Sequence, residues 1–539
     1  MTETNGYSIR FVLLTIVVFL VYLPALRSGF VFDDVHLILQ NKEHLSADVW
    51  SLLTADLWAV DPDDTTGKSF YRPLFSLSIF VDYNLFGPDD AWWFHFHSLM
   101  WHLLATWLLF LLLQKMFTAK AAFIGTCVFA LHPVQIETVV WISARNDSMA
   151  TVFCLLTLVQ VFSIRKEMVS AVFIFVTSLL AISSKENTIF LPIWVYLIAN
   201  HDKNIFATAS GLGVATGLFI RQFFVTSNLF NSLENVQTII TKLPLVGIEQ
   251  LAVLFWPWPL SPTRTVYALH YDPWRVACAI CALGLFLWIY RTGKRGKFSG
   301  LVIFLSAYIP SLAAILMTFS FGDRYMYLPM VGLVIMIASV SSYVRLYKLV
   351  IPLAWIGTIA FKLPDWKDDL HLWSSIDRDY PSSYSKVSLA HIHYNFKNYQ
   401  EASHLYKEGY SMTTPYWGGC AMYLATVLET QGPQAVLVEA EWLKNEGCPI
   451  DGEQAGLIAV SMAFLGQWVE VREYLKTAPA DPRKRMDIVF GAIALIDGDM
   501  DQFDQLRNSW SSMEKYEKQV QYLLPIKNHK IPIKSLPLR

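Results

Sequence analysis

Residues Ile9 to Asp34 read IRFVLLTIVVFLVYLPALRSGFVFDD, a long apolar run with a single charge, then a short turn and two adjacent carboxylates. An apolar stretch of about 17–25 residues is what crosses hydrocarbon, so residues 9–26 predict a transmembrane helix. The run continues to Leu26, and Arg27-Ser28-Gly29 is not a small-residue cleavage site, so the segment reads as a retained span. Composition agrees along the rest of the chain. Of its 539 residues, 54% are hydrophobic and only 16% charged, against about 25% charged in soluble domains. The mean hydropathy is +0.38. A soluble enzyme, a disordered chain and a fibrous one are excluded. With 42 basic and 44 acidic residues, the chain also lacks the basic field that nucleic acid demands.

Working outward, apolar runs recur near 9–26, 96–114, 121–140, 148–164, 168–183, 187–200, 205–226, 274–290, 299–318, 325–344 and 347–361. They predict an all-α polytopic domain over residues 1–362 with about eleven spans. Segment 236–260 contains Pro244, Glu249, Pro257 and Pro259, and reads as re-entrant or interfacial. On that count Lys115/Lys120, Arg165/Lys166, Lys203, Arg291/Lys294/Arg295/Lys297 and Arg345/Lys348 fall on one side. Lys and Arg in short loops mark the cytoplasmic face, so the chain after Pro364 is expected on the opposite side.

Residues 363–539 are polar and amphipathic. Four breaks, Phe396-Lys397-Asn398-Tyr399, Gln431-Gly432-Pro433, Leu465-Gly466-Gln467 and Ile496-Asp497-Gly498-Asp499, each separate two helical patterns. They recur at roughly the 34-residue period of tetratricopeptide repeats, predicting a helix-pair solenoid suited to holding a protein or glycan acceptor. Cys420 opens one repeat's first helix and Cys448 follows its second, so an oxidising environment would join them. Cys127, Cys154, Cys278 and Cys281 lie in apolar runs and read as small hydrophobes.

The outer loops carry acids and cations together. Asp33 and Asp34 follow the first span. Tyr71-Arg72-Pro73-Leu74 comes next, then His132-Pro133 with Glu137, followed by Arg145-Asn146-Asp147. Lys185-Glu186 and Asp323-Arg324-Tyr325 complete the set. Carboxylates at a membrane interface cost desolvation and are functional by default. A site of this kind suits a phosphosugar whose lipid tail lies in the bilayer. A carboxylate takes the acceptor hydroxyl's proton, and Arg or Lys stabilises the departing phosphate. Asp33 or Asp34 would supply the base, with Glu137 a further catalytic candidate. Arg324, with Arg72 or Lys185, would clamp the phosphate, and Arg145, Asp147, Glu186 and Asp323 are further candidates.

These motifs, with Phe94-His95, His102, Tyr327-Leu328-Pro329 and Leu372-Trp373, stand in an order that resembles the GT-C superfamily of polyprenyl-phosphate-dependent glycosyltransferases. The likeness is strongest to the transmembrane and tetratricopeptide-repeat-containing O-mannosyltransferases. The resemblance implies an inverting transferase with Asp33 or Asp34 as catalytic aspartate, a lipid monophosphate sugar donor, and an acceptor on the outer side. Protein O-glycosylation is the expected reaction; transfer to a lipid or cell-surface glycan, or a non-catalytic assembly or transport role, are the alternatives. No histidine-based metal site is expected, while carboxylates could hold Mg²⁺ or Mn²⁺. The expected location is a bacterial inner membrane, with site and repeats periplasmic.

Overall fold

A computed structural model describes residues 2–46, 49–55, 57, 70–162, 167–224, 236–293, 296–340, 350–414, 416–479, 485–508 and 523. Arg165, Lys166, Lys294, Arg295, Arg345 and Lys348, used above for orientation, and parts of several predicted spans lie outside these residues. The chain forms two compact units, Met1–Tyr380 and Pro381–Arg539.

The first unit is almost entirely helical. Among the described residues, five helices are long and apolar enough to cross a bilayer: Ile9–Arg27, Ala91–Met116, Glu167–Ser184, Pro273–Thr292 and Lys297–Leu316. A sixth is Ala119–Leu131 with Pro133–Val140, bent by 52°; Pro133 lacks the N–H that would continue the helix. Three shorter apolar helices follow the same pattern: Pro73–Phe86, Glu186–Ile198 and Pro329–Val340. Length and apolarity thus support five or six spans among the described residues, while the expected count of about eleven also draws on runs that are shorter or extend beyond them. Some predicted runs fold as shorter or more polar helices. Arg145–Gln160 opens with Arg145, Asn146 and Asp147; segment 236–260, read above as re-entrant or interfacial, contains the helix Val236–Phe255 with Pro244 inside it.

Sequence periodicity explains how the first helix sits. Phe11, Leu14, Val18 and Tyr22 recur at three- to four-residue spacing and are buried, while Ile9, Leu13, Ile16 and Leu20 are exposed. Both faces are apolar, as suits a helix with protein on one side and lipid on the other. Phe11 stacks on Phe110 of Ala91–Met116 at 4.3 Å. Elsewhere helices approach backbone to backbone: a Cβ at Gly332 would strike the Gly300 carbonyl oxygen at 2.5 Å, the small-residue contact that membrane helices use. A two-residue antiparallel ladder, Arg264–Thr265 with Ser320–Phe321, ties two loops together. Segment 363–380, read above with the C-terminal domain, packs inside this unit. Lys367 O accepts from Gly29 N at 2.9 Å, and Lys362 pairs with Asp365 at 3.0 Å and Asp379 at 2.6 Å.

The second unit contains four helical hairpins among its described residues: Ser383–Asn395 with Tyr399–Tyr410, Cys420–Gln431 with Pro433–Glu446, Gly452–Phe464 with Trp468–Leu475, and Arg485–Asp497 with Met500–Asn508. Their turns fall at the four breaks read from the sequence. Ser382 and Ser385 form a reciprocal capping box at the first helix. Cys420 and Cys448 are joined by a disulfide.

Candidate functional site

Phe32, just before the two aspartates, takes a left-handed conformation, φ 55°. Asp34 is fully buried. Its Oδ1 accepts from Ser143 N at 2.8 Å and Ser143 Oγ at 2.5 Å, and its Oδ2 accepts from Val31 N at 3.3 Å. Burial raises its carboxyl to about 7, against the pull of the Ser143 and Val31 bonds. Asp33 is half-buried beside it. The strained turn is held from outside: Asp369 accepts from Phe32 N at 2.7 Å, and the Phe32 ring lies against Trp141 at 5.2 Å and Trp373 at 5.3 Å.

Trp141 links this turn to Arg324, whose guanidinium lies 4.8 Å from the indole. Arg324 sits in the short turn Asp323–Met326. Its backbone N–H donates to Glu137 Oε2 at 2.8 Å, its guanidinium pairs with Glu137 Oε1, and Nη1 also donates to Pro262 O at 2.9 Å. Gly322 allows this approach, since a Cβ there would stand 2.6 Å from Glu137 Oε1. Asp323 points elsewhere. It accepts from Arg264 Nη1 and from Ser261 N, both at 2.8 Å, and so pins the turn.

Lys185 follows the helix Glu167–Ser184 and bonds Asp147 Oδ2 at 2.5 Å, with its ammonium 5.8 Å from the Tyr325 ring. Burial lowers this ammonium to about 8; Asp147 opposes that shift, while the charges of Arg72 and Arg324 add to it. Arg72 in turn donates to Glu186 from Nε at 3.2 Å and Nη2 at 3.0 Å. Lys185 therefore lies within the field of two cations from distant loops, Arg72 and Arg324. All three stay partly open, with 15% of the Arg72 side chain, 10% of Lys185 and 18% of Arg324 exposed. Around them Trp141 Nε1, Asp147 Oδ1 and Glu186 Oε1 are buried without a hydrogen-bond partner among the described residues. Buried polar atoms normally have partners, so this region is chemically set up for a polar ligand or water.

Arg145 lies apart from the cluster. It is fully buried and pairs with Asp82 at 2.6 Å, with Ser98 Oγ at 3.1 Å and Phe94 O at 2.7 Å. Asp82, Arg264, Trp141 and Ser143 were not among the residues singled out. Asp82 gave a signal, a carboxylate within the apolar run Ser78–Phe86; Arg264 stands in a loop with no pattern to mark it. Among the described residues no group of three or more His, Cys, Asp or Glu comes together. Asp34 and Glu137 already spend their oxygens on Ser143, Val31 and Arg324, which does not fit a hard cation needing about six oxygen ligands.

No family model matches the chain, and no solved structure does. Curated proteins do. Protein O-mannosyl-transferase Tmtc1 of Drosophila melanogaster is 31% identical over 28% of this chain and 18% of its own length. Human protein O-mannosyl-transferase TMTC3 is 31% identical over 25% of this chain and 15% of its own. Protein O-mannosyl-transferase F38B6.6 of Caenorhabditis elegans is 23% identical over 69% of this chain and 57% of its own. The chain thus spans less than a fifth of the first two relatives and just over half of the third. It is an integral membrane protein similar in sequence to protein O-mannosyl-transferases, the likeness that its motif order anticipated.

Proposed function

We propose that this chain is a membrane glycosyltransferase moving a sugar from a polyprenyl-phosphate donor to a hydroxyl of a protein acceptor, at the outer face of the membrane. The observation that carries this reading is the convergence of Arg72, Lys185 and Arg324, with Trp141 connecting Arg324 to the Asp33 turn. The relatives' names support protein O-mannosylation. The first unit is the catalytic one in this reading, and the repeat unit presents the acceptor. The expected setting is the periplasmic face of a bacterial inner membrane.

Asp33 is the base, because both Asp34 oxygens are engaged by buried donors. The acceptor oxygen attacks the anomeric carbon as its proton passes to Asp33. The bond from that carbon to the phosphate oxygen breaks, and configuration inverts. Charge accumulates on the departing lipid phosphate, where preorganised guanidinium and ammonium groups stabilise it most. Glu137 acts through Arg324 by fixing its orientation.

The test is turnover of the full chain in detergent, with polyprenyl-phosphate mannose and a Ser/Thr peptide, followed by mass spectrometry of the peptide. Asp33→Asn should abolish transfer while preserving thermal stability. Transfer at the wild-type rate by that variant would falsify the reading.

A further inference from the structure

Each cation of the cluster already owns a carboxylate: Arg72 has Glu186, Lys185 has Asp147 and Arg324 has Glu137. The cluster is close to charge-neutral, so an incoming phosphate competes with a resident acid. The three acids are held very differently. Glu137 is 3% exposed and accepts both the backbone N–H and the guanidinium of Arg324. Asp147 also has one unpartnered oxygen, Oδ1, but at 1% exposed, with Lys185 at 2.5 Å, it is enclosed. Glu186 is 25% exposed, and both Arg72 bonds fall on its Oε2, leaving Oε1 without a hydrogen-bond partner among the described residues. A well-matched Arg–carboxylate pair uses two parallel bonds to two oxygens. This pair does not.

We propose that Glu186 is a displaceable counter-ion, holding the Arg72 guanidinium until the donor phosphate replaces it; this rests on the donor-phosphate reading above. The planar fork of Arg accepts carboxylate and phosphate oxygens alike, so the exchange needs no large movement of Arg72. The charge of Arg221 also bears on Glu186, so the released carboxylate keeps a cation nearby. Glu186 therefore sets the affinity for the donor and takes no part in the bond-making step.

The experiment uses the full chain in phosphatidylcholine nanodiscs and radiolabelled polyprenyl monophosphate as the probe. Glu186→Gln should tighten binding about two- to fivefold, the range expected for loss of one partly exposed ion pair. The donor KM should fall by the same factor at constant kcat. Arg72→Gln should weaken binding, and the double variant should behave as Arg72→Gln alone. Glu186→Ala serves as a second variant, and thermal unfolding checks that each protein is folded. Unchanged or weaker binding by both folded Glu186 variants, with Arg72→Gln still impaired, overturns the counter-ion role alone. No saturable binding by the wild-type chain overturns that role together with the donor-phosphate reading.

Discussion

Asp34 receives two hydrogen bonds from Ser143, one from its backbone N–H at 2.8 Å and one from its hydroxyl at 2.5 Å. The two residues lie 109 positions apart, so this aspartate fastens the loop after the first helix onto the turn that leads to Arg145. Removing it is a structural injury. Asp34→Ala leaves buried Ser143 donors unsatisfied, at about 1–3 kcal/mol for each orphaned group. Differential scanning fluorimetry should show a lowered Tm for Asp34→Ala and a wild-type Tm for Asp33→Asn. The reverse order would exchange the two roles.

The same carboxyl predicts a pH dependence. Burial raises it from 3.8 to about 7, so between those values the folded state holds a proton that the unfolded chain has released. Stability therefore falls as pH rises through that window. Asn is close in shape to the protonated acid. Asp34→Asn should flatten this part of the Tm-against-pH curve, and an unchanged slope would remove Asp34 as its source.

Which features were legible in the sequence follows from how local each one is. The apolar run 9–26 and the four turns of the repeat unit depend on nearby residues, and pattern alone located them. The Asp33-Asp34 pair was visible, but what distinguishes its members is the burial of Asp34 against Ser143, 109 positions away. Arg324 was legible as a cation, while its pairing with Glu137 spans 187 residues. Arg145 and Asp82 were each legible as charges in apolar surroundings, while their pairing across two helices lies beyond local pattern. The bend at Pro133 within the run 121–140 was not visible to hydropathy, which averages across such a break.

Lys185 gives a second pH test, on activity. Its ammonium is lowered to about 8, by burial first and with Arg72 and Arg324 contributing. Above that value the free enzyme loses one of the charges that meet the donor phosphate. Because kcat/KM follows ionisations of the free enzyme, kcat/KM for the donor should decline above about pH 8. Lys185→Arg keeps its charge and should move the falling limb upward. A profile that stays flat well beyond pH 8, in both proteins, would take Lys185 out of the clamp.

Glu137 and Arg324 can be separated into stability and turnover by a double-mutant cycle. Arg324→Gln strands a buried carboxylate, and breaking a buried pair from one side costs about 3–5 kcal/mol. Changing Glu137→Gln in the same protein removes the stranded charge, so much of that loss should return. Turnover should not return, because the guanidinium facing the phosphate is still missing. Recovery of both properties would reduce Arg324 to a structural partner of Glu137.

The disulfide tests the orientation of the chain as well as its stability. Cys420 and Cys448 are separated by 28 residues in sequence, and closing a loop of that size stabilises by about 3–4 kcal/mol in the chain-entropy account. Reduction, or the Cys420→Ser and Cys448→Ser double variant, should lower the Tm of the repeat unit within the full chain. A bridge of this kind persists where the surroundings are oxidising, the condition expected on the side opposite the basic loops. Peptide mapping of protein isolated under thiol-blocking conditions should recover residues 420 and 448 in one linked product. Cysteines placed at Arg291 and Gln400 should label from opposite sides of the membrane. Free thiols at 420 and 448, with both introduced cysteines labelling from one side, would reverse the placement of the repeat unit and move the acceptor to the cytoplasmic face.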